Sequence, residues 1–267
     1  MSSTSTSADR LTDNASALAA LSADDVERRY RPFRATKNAV GEADWVESLE
    51  LDTVKQLVER SQERDLRVLV LYGSLRERSF SRLTAFEASR ILSLLGADVR
   101  VFDPAGLPMK DGVSETHAKV VELRALSEWS DAQMWVSPEQ HGTITAVMKN
   151  QIDWIPLSVG SLGRWMRMWT IPNQSSIPKA WTQFTSSDRL LPSSNRDRLV
   201  DVCEELIKAT VLLRPHVDLL GDRFSEREER REHGRLRTQA EVEAAKKRSE
   251  EEKVAVAEAA KRGSEVA

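Results

Sequence analysis

Three short apolar runs, each followed by a stretch of helical period, constrain what this chain can fold into. RVLVLYGS, Arg67–Ser74, is almost unbroken in apolar and β-branched residues, as a strand covered on both faces requires. SRLTAFEASRILSLLG follows, with Ala88, Ile91, Leu92 and Leu95 on one face and Gly96 as its stop. DVRVFDP and AQMWVS repeat the strand signal. HAKVVELRALSEWS and the run bearing Val147, Met148, Ile152 and Ile155 repeat the helix. Regular alternation of this kind predicts right-handed βαβ units, hence an α/β fold with a parallel sheet between two layers of helices. Ligands of such sheets bind beyond the carboxyl ends of the strands. The loops after the strands are therefore where chemistry is expected.

The flanks read differently. Residues 1 to about 24 are Ser, Thr, Asp and Ala with little to bury, and they predict disorder. Residues 25–42 are basic and read as an extended arm or as more disorder. A helix is expected from Trp45 to about Gln62, where Leu51, Val54, Leu57 and Val58 recur at helical spacing. RDRLVDVCEELIKATVLLR closes the core, with Leu199, Val202, Cys203, Leu206, Thr210 and Leu213 in phase. Beyond Phe224 the chain is nearly all Arg, Lys, Glu and Ala, a solvated helix or a disordered tail. The expected organisation is an N-terminal arm at 1–42, the α/β domain at 43–222 and a charged tail at 223–267.

Composition excludes some partners. Charged residues are 30% of the chain, yet the net charge is only −3, which gives no argument for nucleic acid or a membrane surface. No apolar run approaches the length of a bilayer span, and MSSTSTSADR lacks the apolar core of a secretory signal. A single cysteine rules out an internal disulfide and a multi-thiol metal site, and it fits a reducing, cytoplasmic setting.

Two loops could do chemistry. The first strand runs into GSLRERSFSR, Gly73–Arg82, which lacks both GxGxxG and the GK[ST] of a P-loop. It still suits a phosphate. Gly73 allows a tight turn, Ser74, Ser79 and Ser81 offer hydroxyls, Arg76 and Arg78 offer charge, and a helix N-terminus starts there. Simple helix capping by Ser79 or Ser81 with solvated arginines explains the loop equally well. The third strand runs into SPEQHG, Ser137–Gly142, where Gly lets backbone approach a flat ligand; an ordinary strand-to-helix turn is the plainer explanation. Taken together the loops are more specific. In a flavodoxin-like order 2-1-3-4-5 the first and third strands are neighbours and flank the switch point. A phosphate loop after one and a ring-edge loop after the other describe an FMN pocket.

Gly73–Arg82, DVRVFDPAGLP, SPEQHG with the following TAVMKNQIDWIPLS, and GRWMRMWTIPNQSSIPKA closely resemble the ArsH group of arsenical-resistance flavoproteins within the NADPH-dependent FMN reductases. The resemblance covers about residues 30–230. It implies a flavodoxin-like three-layer fold, bound FMN, NADPH as hydride donor, small-molecule electron acceptors and a homotetramer. It implies that Ser74, Arg76, Ser79 and Ser81 hold the FMN phosphate, and that Pro138, Glu139, Gln140, His141 and Gly142 line the isoalloxazine. The family carries a basic residue where Gln140 stands.

The chain also departs from the family. There, a fourth strand and a Gly/Ser-rich loop covering the flavin separate the helix ending IDWIPLSVG from the one ending GRWMRM. Here Val159-Gly160 leads straight to Ser161-Leu162-Gly163. The sheet is thus expected to lack one strand, unless MWTIPN, Met168–Asn173, moves in beside the third. The junction fits a splicing or gene-model product, or a diverged paralogue. Trp154, Trp165, Met166 and Trp169 around it are expected to pack in the core or at a subunit interface.

The remaining candidates have plain readings. Cys203, on an apolar helix face, is expected to be a buried, inert thiol, and one thiol cannot form an arsenical trap. His117 reads as a helix-start residue, and Asp103 has no acidic cluster around it. No side chain is required as a catalytic acid or base. The sequence thus predicts an FMN-dependent oxidoreductase that passes electrons to oxygen, quinones or dyes and, by the resemblance, oxidises trivalent organoarsenicals. The rival is a flavin-deficient, non-enzymatic subunit that associates with intact copies.

Overall fold

Strand β1, Leu66–Tyr72, lies at the centre of a three-stranded parallel sheet. It pairs on one side with β2, Ala97–Phe102, in the register Val68↔Val99 and Val70↔Val101. On the other it pairs with β3, Ala132–Val136, in the register Val68↔Ala132 and Tyr72↔Val136. The order β2-β1-β3 is the start of the order read from the sequence. The computed structural model describes residues 21–35, 44–61, 65–155, 168–235, 237, 241–242, 244–251 and 253.

Side chains of β1 alternate between two cores, as a pleated strand covered on both faces must. Val68, Val70 and Tyr72 enter one core with α2 (Asp52–Arg60), α3 (Phe80–Leu94) and α6 (Ser194–Leu213). Leu69 and Leu71 enter the other with α1 (Ala23–Tyr30), α4 (Ala118–Trp129) and α5 (Ala146–Trp154). This is the three-layer α/β arrangement expected of the chain.

Several local expectations need correction. Ala23–Tyr30 is a helix rather than an extended arm, capped by Ser22 and followed by a 3-10 turn at Pro32–Arg34. Two arginines at its C-terminal end are spent on the domain: Arg31 bonds Asp98 at 2.7 Å and Arg29 bonds Glu122 at 3.1 Å. The helix expected from Trp45 begins only at Asp52. Met168–Asn173 forms no strand, so it does not replace the fourth strand beside β3. Trp135 on β3 is 38% exposed, which a central, doubly covered strand would not allow. The junction Ser158–Gly163, with Trp165 and Met166, lies outside the described residues. Trp154 is fully buried and donates to the Pro108 carbonyl at 2.7 Å, whereas Trp169 is 62% exposed.

The second unit, residues 218–267, begins five residues before the expected tail. Its helix α8, Phe224–His233, follows the short α7, Val217–Gly221. Charged pairs such as Arg231–Glu228 at 2.6 Å lie along it, as the interspersed charges suggested. No described helix is long and apolar enough to cross a membrane.

Candidate functional site

Gly73 continues the β1–β3 ladder one residue past the strand, its N–H donating to the Val136 carbonyl at 2.9 Å. A Cβ at this position would stand 2.8 Å from Thr145 Oγ1, 2.9 Å from Ser137 Oγ and 3.0 Å from Met148 Cβ. Only a residue without a side chain lets the three segments meet. They are also stitched by hydrogen bonds. Thr145 Oγ1 donates to the Gly73 carbonyl at 2.6 Å and caps α5 by accepting from the Met148 N–H at 3.2 Å. The Thr145 N–H donates to Ser137 Oγ at 3.2 Å. Below them, the fully buried Gln151 donates through Nε2 to the Tyr72 carbonyl at 3.0 Å. The loop after β1 and the loop after β3 thus form one rigid rim.

The rim extends to the end of β2. The Tyr72 hydroxyl donates to Asp103 Oδ1 at 2.9 Å. Burial first, and then the adjacent Asp103 charge, push the phenol above its ordinary value of 10.0, so it stays a donor. Asp103 is therefore a strand-end acceptor, and His117 is the helix cap expected of it, accepting from the Lys119 N–H through Nδ1.

Within Gly73–Arg82, the four phosphate candidates separate into two pairs. Ser79 caps α3, its Oγ accepting from the Arg82 N–H at 3.2 Å and lying 3.0 Å from Ser81 Oγ. Both serines are buried, at 2% and 8% exposure. Capping does not use up the donors here, because the first turn of α3 still leaves the N–H groups of Phe80 and Ser81 without intrahelical acceptors. Ser74 is half-buried and accepts from the Arg76 N–H at 3.3 Å, which folds the loop over itself. Arg76 is exposed and makes no ion pair among the described residues. Arg78 is engaged elsewhere: its Nε donates to Asp188 Oδ1 at 3.0 Å and its Nη2 to the Thr185 carbonyl at 3.3 Å.

Pro138–Gly142 is not a simple strand-to-helix turn. Glu139–Gln140 and Thr143–Ile144 form a two-stranded antiparallel hairpin, with Glu139 paired to Ile144 and Gln140 to Thr143. His141 and Gly142 turn it with φ 52° and 77°, the double left-handed geometry of the tightest hairpins. Glu139 to Gly142 are all exposed, and the space on the Cβ side of Gly142 is open. A flat ligand can approach this backbone, and the hydroxyl and backbone N–H donors of Gly73–Arg82 suit a phosphate. The arrangement fits a flavin mononucleotide.

The sequence did not single out Thr145, Gln151 or the Thr185–Arg189 turn. Thr145 could have been found as a cap before an apolar run. The turn could not, since its partners are distant in sequence.

A family model described as NADPH-dependent FMN reductase matches residues 66–163. A Rhizobium meliloti protein described as NADPH-dependent FMN reductase ArsH is 52% identical over 192 residues, covering 61% of this chain and 80% of the relative. Its Shigella flexneri counterpart is 50% identical, covering 61% and 75%. A potato NAD(P)H:quinone oxidoreductase is 35% identical over 95 residues, covering 33% and 49%. Because 61% of 267 residues is fewer than the 192 aligned positions, the ArsH relatives carry residues inside the match that this chain lacks. With half its matched positions identical to theirs, the chain belongs to the NADPH-dependent FMN reductase family, in its ArsH group.

Proposed function

We propose that this chain binds FMN across the rim between β1 and β3 and uses NADPH as its reductant. The observation that carries this reading is the 2.6 Å hydrogen bond from Thr145 to the Gly73 carbonyl, which holds the two cofactor loops in one frame. Ser74, Arg76 and the first turn of α3, with Ser79 and Ser81, receive the phosphate through hydroxyl, guanidinium and backbone N–H donors. Pro138, Glu139, Gln140, His141 and Gly142 lie along the ring, where exposed hairpin backbone offers both donors and acceptors. FMN would supply the redox chemistry when bound: hydride would come from NADPH, the electrons would go on to oxygen, quinones or dyes, and the peroxide formed from oxygen would oxidise trivalent organoarsenicals. The protein's part is position and charge. Cys203 has no part in arsenical chemistry, since it is fully buried and burial pushes its thiol well above the ordinary range. A homotetramer in a reducing cytoplasm completes the proposal; the exposed Trp169 and Trp181 support subunit contacts.

The test is direct. Purified protein should be yellow, or become so with added FMN, and NADPH should bleach the colour. Arg76→Ala should weaken FMN binding about 10- to 100-fold, the range for a lost charge-assisted hydrogen bond of roughly 1.5–3 kcal/mol. Unchanged affinity in that variant would remove the phosphate assignment.

A second reading rests on the half-exposed Trp135 and on the residues missing relative to the ArsH proteins. A sheet short of one strand offers an open edge to another copy. In this reading the chain is a flavin-deficient subunit, a paralogue or a spliced product, that assembles with intact partners. A colourless protein that takes up no FMN and co-purifies with a full-length relative would favour it.

A further inference from the structure

Two consecutive residues, Asp188 and Arg189, hold the candidate phosphate loop and the body of α3 at the same time. Asp188 Oδ1 accepts from Arg78 Nε at 3.0 Å, and the Thr185 carbonyl accepts from Arg78 Nη2 at 3.3 Å. The Arg78 guanidinium also lies 5.4 Å from the Phe80 ring centroid. Two turns further along the same helix, Glu87 accepts from Arg189 Nε at 2.6 Å in a fully buried pair. The turn joining the two grips is itself tightly built. Thr185 N–H donates to the Arg189 carbonyl at 2.8 Å, and Arg189 N–H donates to Thr185 Oγ1 at 3.1 Å. Asp188 sits at φ 59°, a left-handed conformation that Asp and Asn adopt more readily than other residues with a side chain.

We propose that Asp188 is a positioning residue for the phosphate loop. Through Arg78, it sets the loop against the N-terminus of α3, and it keeps Arg78 out of the phosphate site so that Arg76 is the cation that meets the ligand. The inference rests on the reading of Gly73–Arg82 as an FMN-phosphate loop. Its chemical signature is selective. A misplaced phosphate loop weakens a flavin that carries a phosphate and leaves one without it unaffected.

The experiment titrates the full-length protein with FMN and with riboflavin, following flavin fluorescence at low ionic strength, and records Tm for each variant. Asp188→Gly keeps the left-handed backbone and removes the carboxylate, whereas Asp188→Asn keeps both the backbone preference and an acceptor. Asp188→Gly should weaken FMN about threefold to fivefold, the effect of losing an exposed ion pair worth up to about 1 kcal/mol. Riboflavin affinity should not change, and Asp188→Asn, which keeps the acceptor without the charge, should restore part of the loss. Wild-type FMN affinity in Asp188→Gly, or an equal fall for both flavins, overturns the proposal. Arg76→Ala separates the two levels. If it lowers FMN relative to riboflavin while Asp188→Gly does not, the positioning role fails and the phosphate loop stands. If Arg76→Ala leaves the ratio unchanged, or the protein takes up neither flavin, the phosphate-loop reading fails and the positioning role with it.

Discussion

Arg189 Nε lies 2.6 Å from Glu87 Oε1 across 102 positions of sequence, and the two residues are 4% and 0% exposed. Arg90 approaches the same Glu87 oxygen at 3.1 Å, and Asp44 accepts from Arg189 Nη2 at 2.5 Å. Among the described residues, two cations and two anions meet here, with Arg90, Glu87 and Arg189 largely out of water and Asp44 partly so. Removing one strands the others, because a buried charge without a partner loses its hydration and gains nothing for it.

Arg189→Met should therefore destabilise the protein by about 3–5 kcal/mol, the range for breaking a buried pair. Chemical denaturation followed by far-UV circular dichroism checks this. A midpoint within error of wild type would show that water reaches the cluster and screens it.

Acid should loosen the same cluster. Burial alone would raise the Asp44 carboxyl, but hydrogen bonds from Arg189 and from the Val46 N–H outweigh that and hold it below its ordinary value of 3.8. A carboxyl depressed in the folded state stabilises fully above the unfolded value and loses that contribution as pH falls through the folded one. Wild-type stability should thus decline below about pH 4. Asp44→Asn should flatten that part of the Tm-against-pH curve. An identical curve for the variant would assign acid sensitivity to other groups.

Gly73 and Gly142 are needed for different reasons, and substitution should separate them. Gly73→Ala forces a Cβ to within 3.0 Å of three neighbours. Overpacking of this kind costs about 1–3 kcal/mol, and here it also pries Thr145 from the loop, so FMN uptake should fall with stability. Gly142 has open space but φ 77°, so Gly142→Asn should be tolerated while Gly142→Ala costs about 1 kcal/mol. Thermal melts with and without FMN distinguish the two cases. Equal penalties for Gly142→Asn and Gly142→Ala would contradict the backbone argument.

Cys203 should be silent toward thiol reagents. It is fully buried between α6 and α3, with the Ala88 carbonyl 3.9 Å from its sulfur. Burial, and secondarily the Glu204 charge, push its pKa up, so almost no thiolate exists near neutrality. An aromatic disulfide reagent should titrate no thiol in the native protein and one after unfolding. Rapid native labelling would show that α6 opens readily.

Much of the architecture was legible. The apolar run Arg67–Tyr72 leaves a strand few alternatives to the sheet centre, and the periodicity of Phe80–Leu94 and Ser194–Leu213 matches the faces they bury. The loops Gly73–Arg82 and Ser137–Gly142 were recognisable because strand order alone makes them neighbours. Less visible were features settled by competition between similar options. The basic stretch before Pro32 looked extended, yet α1 forms because Val26 and Tyr30 bury against the domain and Arg29 and Arg31 find distant carboxylates. SPEQHG looked like a bare turn, and only the pairing of Glu139 with Ile144 made it a hairpin.

The sequence by itself determined the alternation, the central strand, the two loops and the family, because these depend on local periodicity and on contiguous strings of residues. The tertiary structure alone decided that Arg78 turns away to Asp188, that Thr145 and Gln151 support Gly73, and that Glu87 and Arg189 share a buried cluster. The physical reason is common to all three. Each depends on which charge or hydrogen-bonding group arrives from far along the chain, and no residue's immediate neighbours carry that information.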